Sequence, residues 1–376
     1  MTQSQAPTTT STGFAPSATS SGSTSPLLHM TRTTPTALWN DSADPRELAE
    51  SLTFGAVGAT CNPVIALACI KADLPTWRAR IAQLAAEHPT ATEDAIGWLV
   101  VEELSVSAAK LLEPTFREHN GRNGRLSIQT DPRFHRNAAA LVEQAVHFAS
   151  LAENVIVKIP ATAAGIVAME EATYRGISIN ATVSFTVPQA LAVGAAVERG
   201  LKRREAEGLD VSTMGPVCTI MGGRLDDWLK HAAERDKVTI DPGHFEWAGV
   251  AALKRAYAVY QERGYRTRVL SAAFRNHMQW SELIGGDVVV SPPFGWQQRF
   301  NNSDIEATPR IDEPVDPVVL DSLYSHLEDF RRAYDVDGMT DAEFDTFGAT
   351  LRTLRQFLAA NNELEALVRD VVVPNP

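Results

Sequence analysis

The stretch Asn154-Val-Ile-Val-Lys-Ile-Pro-Ala-Thr162 sets one lysine, Lys158, in the middle of an apolar, strand-like run that stops at a proline. An ammonium group among Val and Ile is costly unless it is paired, solvated or neutralised, because burial disfavours the charged form. Two readings satisfy this condition. Lys158 is a solvent-facing gatekeeper on an edge strand. Alternatively it lies inside a parallel barrel, held neutral by burial so that its amine can attack a carbonyl and form a Schiff base. The stretch alone leaves both open, and the sequence around it has to decide.

Working outward, short strand-like runs alternate with longer helical ones from Thr36 onward, the pattern of βα units around a parallel sheet. Strands are expected at 37–41, 56–60, 125–130, 155–160, 177–182, 217–221, 268–272 and 287–291. Apolar residues at three- and four-residue spacings predict helices such as 76–88, 91–112, 137–151, 165–175, 188–207 and 247–263. About eight strands in this length suit an α/β fold of the (β/α)₈ TIM barrel kind, although a doubly wound open sheet uses the same units.

Three segments follow from composition. Residues 1–30 are rich in Ser and Thr and carry no Lys, Arg, Asp or Glu, so they read as a disordered tail without the features of a secretory leader or transit peptide. Residues 31–313 form the expected barrel. Residues 314–376 form a helical extension packed on it, whose charges read as a solvated face with no chemistry of its own. A formal net charge of −12 with no dense Lys/Arg stripe excludes a nucleic-acid groove. No apolar run is long enough to span a bilayer. Cys61, Cys69 and Cys218 lack metal-ligand spacing and are expected as reduced thiols in a cytoplasmic protein.

In a parallel barrel, chemistry belongs at the carboxyl ends of the strands. The polar residues there are Asn40 and Asp41 after the first strand, Thr60 and Asn62 after the second and Gln129 on the third. Lys158 follows on the fourth, Asn180 and Thr182 on the fifth, Thr219 and Arg224 around the sixth and Arg275 after the seventh. One amine, one carboxylate, carboxamides, hydroxyls and two arginines suit a Schiff-base enzyme acting on a phosphorylated polyol. Singly, each has a plainer role. Asp41 or Asn62 could start a helix or turn, and Arg224 could pair with Asp226 or Asp227.

Five motifs in order carry a resemblance. Thr60-Cys-Asn62-Pro63 resembles the Thr-Thr-Asn-Pro motif of transaldolases, and Val155 to Thr162 resembles their Schiff-base lysine strand. Ile179-Asn180-Ala-Thr182 and Met221-Gly-Gly-Arg224-Leu-Asp-Asp227-Trp228 resemble their fifth- and sixth-strand motifs. Ala272-Ala-Phe-Arg275-Asn276 resembles their late phosphate-binding strand.

The resemblance implies Lys158 as the Schiff-base nucleophile and Asp41 as the acid/base. It implies Gln129 and Thr182 around a bound water, with Asn62 and Asn180, alongside Thr60 and Thr219, on the hydroxyls of a three-carbon unit. Arg224 and Arg275 would clamp a distal phosphate. It implies no metal and no organic cofactor, sugar phosphates as the only partners, and a monomer or homodimer.

Gln129 stands where most transaldolases have a glutamate and is similar to the residue of fructose 6-phosphate aldolases, whose sixth-strand tyrosine is here Met221. Cys61 and Ala273 replace a threonine and a serine of the usual pattern. The five motifs make transfer in the pentose phosphate pathway the leading expectation. Beside it stand an aldol lyase or a transaldolase for an unusual sugar, and a barrel that binds sugar phosphate without turning it over.

Overall fold

The computed structural model describes residues 25–375. Eight parallel strands close into one barrel in chain order: β1 (Ala37–Asn40), β2 (Ala56–Thr60), β3 (Arg125–Gln129), β4 (Val155–Pro160), β5 (Ile179–Thr182), β6 (Val217–Ile220), β7 (Arg268–Ser271) and β8 (Val289–Val290). The last strand pairs back to the first, which excludes the open doubly wound sheet. Strand β8 is the shortest because Pro292 and Pro293, lacking N–H groups, end its ladder.

Side chains alternate across a strand, so each strand feeds one set inward and one outward. Inside, Trp39, Ile156, Val217, Leu270 and Val289 belong to a small apolar cluster, separate from the larger core between strands and helices. Trp39 fits there because residue 58 is glycine; a Cβ on Gly58 would lie 2.5 Å from the indole. Below this layer, at the amino ends of β3 and β7, Arg125 and Arg268 donate to loop oxygens of Gly121, Thr213, Arg122 and Asn123. The barrel is thus filled from its base, and open polar space is left to the carboxyl end.

Helices start where sequence punctuation places them. Asp44 caps Pro45–Thr53 and Asn62 caps Pro63–Ala72, each with proline in the first turn. One expectation is corrected. The disorder expected over residues 1–30 does not hold for the last of them, because Pro26–Thr33 is a helix capped by Ser25, with Leu27 and Met30 fully buried against the barrel. The rest of that expected tail, residues 1–24, lies outside the described residues.

Beyond Pro314 the chain forms Pro317–His326 and Glu328–Tyr334, then the long helix Gly348–Val372. Its buried stripe runs through Ala349, Thr353, Phe357, Ala360, Leu364 and Val368 at helical spacing. The stripe packs on the helices Pro63–Ala72, Leu74–Glu87 and Glu93–Glu118, and reaches the start of Gly222–Asp236. Gly348 admits this docking: a Cβ there would lie 1.9 Å from the Trp228 ring.

Candidate active site

Asp41, Thr60, Asn62, Gln129, Thr182, Arg224 and Arg275 lie at or past the carboxyl ends of their strands, whereas Lys158, Asn180 and Thr219 lie within β4, β5 and β6. In register, Gln129 on β3 is level with Lys158 on β4, and Lys158 is level with Asn180 on β5. Strand β4 is paired on both sides, so the edge-strand reading of Lys158 falls. The lysine is 2% exposed. Burial pushes its pKa down, Arg224 adds to that, and the Asp41 carboxylate opposes it.

Asp41 follows β1 directly, and its backbone N–H donates to Pro292 O at 3.3 Å. The neighbouring Asn40 accepts from Gln297, which also bonds Pro292 O, so the end of β1 is clamped to the segment after β8. Thr60 donates to the Asp41 carboxylate. Burial raises the Asp41 pKa, against the pull of Lys158 and Thr60. Burial thus pushes the amine and the carboxyl toward their neutral forms, each partly restrained by the other's charge. The neutral amine is the nucleophilic form, and a carboxyl whose pKa is raised from its usual value is a better match for both taking and returning a proton.

The carboxamides are held with donors to spare. Asn62 spends its Oδ1 on the N–H groups of Val64 (2.9 Å) and Ile65 (3.0 Å), which leaves its NH₂ group for another acceptor. The capping role read from the sequence is therefore real, and it orients the amide. Asn180 donates to Ser127 at 2.9 Å and accepts from Thr219 at 2.7 Å, leaving one N–H. Thr219 is thereby a positioning residue.

Gln129 is 3% exposed, yet its Oε1 has no partner, and neither has the buried Thr182 Oγ1. Unpaired buried polar atoms in a native fold call for a water or ligand. A cavity of about 10 Å³ touches Gln129, Asn62, Cys61, Trp98 and Asn361, room for about one water. The backbone beside Thr182 is strained: Val183 has φ 50°, rare for a β-branched residue. Gln189, fully buried, holds it by donating to Val183 O and Ala161 O, which ties the end of β5 to the end of β4. Cys61, beside Asn62, is buried with its thiol pushed up to about 12, so it stays a thiol; Cys69 and Cys218 are likewise free and buried.

Farther out, a cavity of about 390 Å³ is lined by Arg224, Arg275, Arg352, Asp227, Ala349, Thr353 and Gln356. The loops after β6 and β7 meet there closely enough that a Cβ on Gly223 would lie 2.0 Å from Ala273 O, and Ala273 itself has φ 63°. Burial and the Arg275 cation push the Arg224 pKa down to about 10. The alternative pairing of Arg224 with its acidic neighbours does not occur. Asp227 takes Arg275 instead, at 2.7 Å and 3.0 Å. Asp226 turns inward, accepting from Gly249 N and Gln279 Nε2, both at 2.7 Å. Gln279 in turn accepts the Arg275 N–H at 2.6 Å. The segment carrying Arg224 therefore braces the loop carrying Arg275.

The helical extension expected beyond residue 314 is present, but its charges are not all a solvated face, because the helix Gly348–Val372 reaches the site. Arg224 Nη1 donates to Thr353 (3.2 Å) and Gln356 (2.6 Å), and its guanidinium lies over Phe357. A signal for this was available. Thr350, Thr353 and Asn361 are polar residues on the buried stripe of an amphipathic helix, where apolar ones are the rule.

The transaldolase/fructose-6-phosphate aldolase family pattern matches residues 38–366. Among curated proteins, Transaldolase 2 of Streptomyces avermitilis is 32% identical over 207 residues, covering 54% of this chain and 55% of that protein. The transaldolase of Kocuria rhizophila is 32% identical over 215 residues, 56% of this chain and 57% of that protein. The transaldolase of Mycobacterium tuberculosis is 31% identical over 273 residues, 72% of this chain and 70% of that protein. The matched region thus spans little more than half the length of the first two and over two thirds of the third.

Proposed function

Because the chain belongs to the transaldolase/fructose-6-phosphate aldolase family, we propose that it transfers a dihydroxyacetone unit from a ketose phosphate to an aldose phosphate through a Schiff base on Lys158. The observation that carries this reading is the buried amine of Lys158, pushed toward neutrality beside a carboxyl pushed the same way. The neutral Nζ adds to the C2 carbonyl of fructose 6-phosphate or sedoheptulose 7-phosphate, and loss of water gives the imine. Asp41 takes the proton of the C4 hydroxyl. The C3–C4 bond breaks, its electron pair moves into the imine, and an aldose phosphate leaves an enamine on Lys158. The enamine then attacks a second aldehyde, Asp41 returns the proton to the new hydroxyl, and hydrolysis frees the lysine.

The spare N–H groups of Asn62 and Asn180 fit the hydroxyls of the retained unit, and the arginine-lined cavity fits the distal phosphate. A lysine imine is itself the electron sink, so this chemistry calls on no metal or organic cofactor. The test is a coupled assay with fructose 6-phosphate, with and without erythrose 4-phosphate: aldose phosphate release that depends on the acceptor supports transfer.

One observation favours a second reading, an aldol lyase that releases free dihydroxyacetone. Gln129 presents an unpaired amide oxygen where a base could hold a water, and an amide cannot take up its proton. Proton traffic then falls to Asp41, with Thr182 placing the water. Gln129→Glu is expected to raise transfer relative to release by about tenfold, short of the full effect of a positioned acid–base group. The ratio of the two rates in the coupled assay checks it.

Arg224→Ala and Arg275→Ala are each expected to raise KM for fructose 6-phosphate by about 10- to 100-fold. This is the loss of a charge-assisted contact remote from the reacting bond. The same variants assayed on unphosphorylated donors should lose far less; equal losses on both would make the arginines structural.

A further inference from the structure

Of the two arginines nearest the strands, Arg275 is engaged through all three of its guanidinium nitrogens and Arg224 through one. Arg275 gives Nε and Nη2 to Asp227 and Nη1 to Phe274 O. Arg224 gives Nη1 to Thr353 and Gln356. The third guanidinium lining the same cavity, Arg352, comes from the C-terminal helix and has no hydrogen-bond or ion-pair partner among the described residues. Three guanidiniums against the single carboxylate of Asp227, itself committed to Arg275, leave two positive charges facing this space. That is the charge of a phosphate monoester dianion, and an uncommitted planar fork is the geometry that grips one.

Resting on the proposed sugar phosphate chemistry, we propose that Arg352 is a third phosphate-binding residue, which makes the helix Gly348–Val372 a wall of the substrate site and a determinant of specificity for phosphorylated substrates. The helix is placed for this by its own bonds. Thr353 is fully buried in its hydroxyl-bearing turn and, with Gln356, docks against Arg224, while Phe357 packs beneath that guanidinium. Residue 352 is thereby brought to the cavity that Arg224 and Arg275 enter from the other side. Arg355, one residue before Gln356, is exposed and does not line the cavity, so it offers a control of equal charge on the same helix.

The experiment titrates the full chain with inorganic phosphate by calorimetry, for the unaltered protein and for Arg352→Ala, Arg352→Lys, Arg355→Ala, Arg224→Ala and Arg275→Ala. Its companion measures KM and kcat for fructose 6-phosphate. Arg352→Ala is expected to weaken phosphate about tenfold and to raise KM by a similar factor with a smaller change in kcat, whereas Arg352→Lys recovers part of the affinity and Arg355→Ala binds phosphate as the unaltered protein does. Phosphate affinity unchanged in Arg352→Ala but lost in Arg224→Ala and Arg275→Ala would overturn the role of the helix while leaving the proposed function standing. Affinity unchanged in all three would overturn the phosphate site itself. Equal weakening by Arg352→Ala and Arg355→Ala would reduce the effect to net charge and also overturn the inference.

Discussion

Lys158→Met is expected to abolish turnover, with a loss of more than about 10⁴-fold, because no other amine is level with Gln129 and Asn180 to form the imine. The fold should survive and gain stability. The native lysine is 2% exposed, and its charged form is disfavoured there. A thioether of similar length removes that cost. The sign with pH follows from linkage. The folded-state pKa of Lys158 lies below its unfolded value, so the unfolded chain binds the extra proton between the two, and native stability rises with pH across that window. The gain in Tm of Lys158→Met should therefore be largest below the lowered pKa and shrink as pH approaches the ordinary lysine value. Thermal melts at several pH values check this; a variant that melts lower at all of them would mean that Lys158 makes a stabilising contact.

Asp41→Ala should separate imine formation from carbon–carbon cleavage. Cleavage should fall by about 10²- to 10⁴-fold, the usual contribution of a positioned acid–base group, while reaction of Lys158 with a ketose survives. The Asp41 carboxylate raises the pKa of Lys158 against the effect of burial. Its removal lowers that pKa further, so the amine of the variant should be reactive at a lower pH than in the unaltered protein. Covalent capture of ketose as a function of pH reads this directly. Capture that moves to higher pH, or cleavage that persists, would remove Asp41 from its assigned role.

Most of the barrel could be read from the chain because parallel strands buried on both faces are short continuous runs of Val and Ile between amphipathic helices. Val155–Pro160 and Ala56–Thr60 have the bounds the pattern suggested. Strand β8 did not, since Asp287-Val-Val-Val-Ser291 looks like a longer strand until the neighbouring loops and prolines take its ends. At the site, residues on strands were legible because alternation fixes which way they face: Gln129, Lys158 and Asn180 are examples. Geometry imposed across the fold was not. Nothing local says that Asp227 turns to Arg275 rather than to Arg224, or that Gln279 ties the loop after β7 to Asp226. The charges on the helix Gly348–Val372 look like a solvated face in one dimension. Only the docking of that helix over the strand ends shows Arg352, Thr353 and Gln356 beside Arg224. The helix Pro26–Thr33 was hidden in the same way, its two buried side chains too few to stand out from the Ser/Thr-rich sequence before it.

Borohydride reduction in the presence of fructose 6-phosphate, followed by peptide mass mapping, tests the central claim most directly. Irreversible inactivation is expected, with a single reduced three-carbon adduct on the peptide that contains Lys158. Retained activity with no adduct, or an adduct on a different lysine, would contradict it.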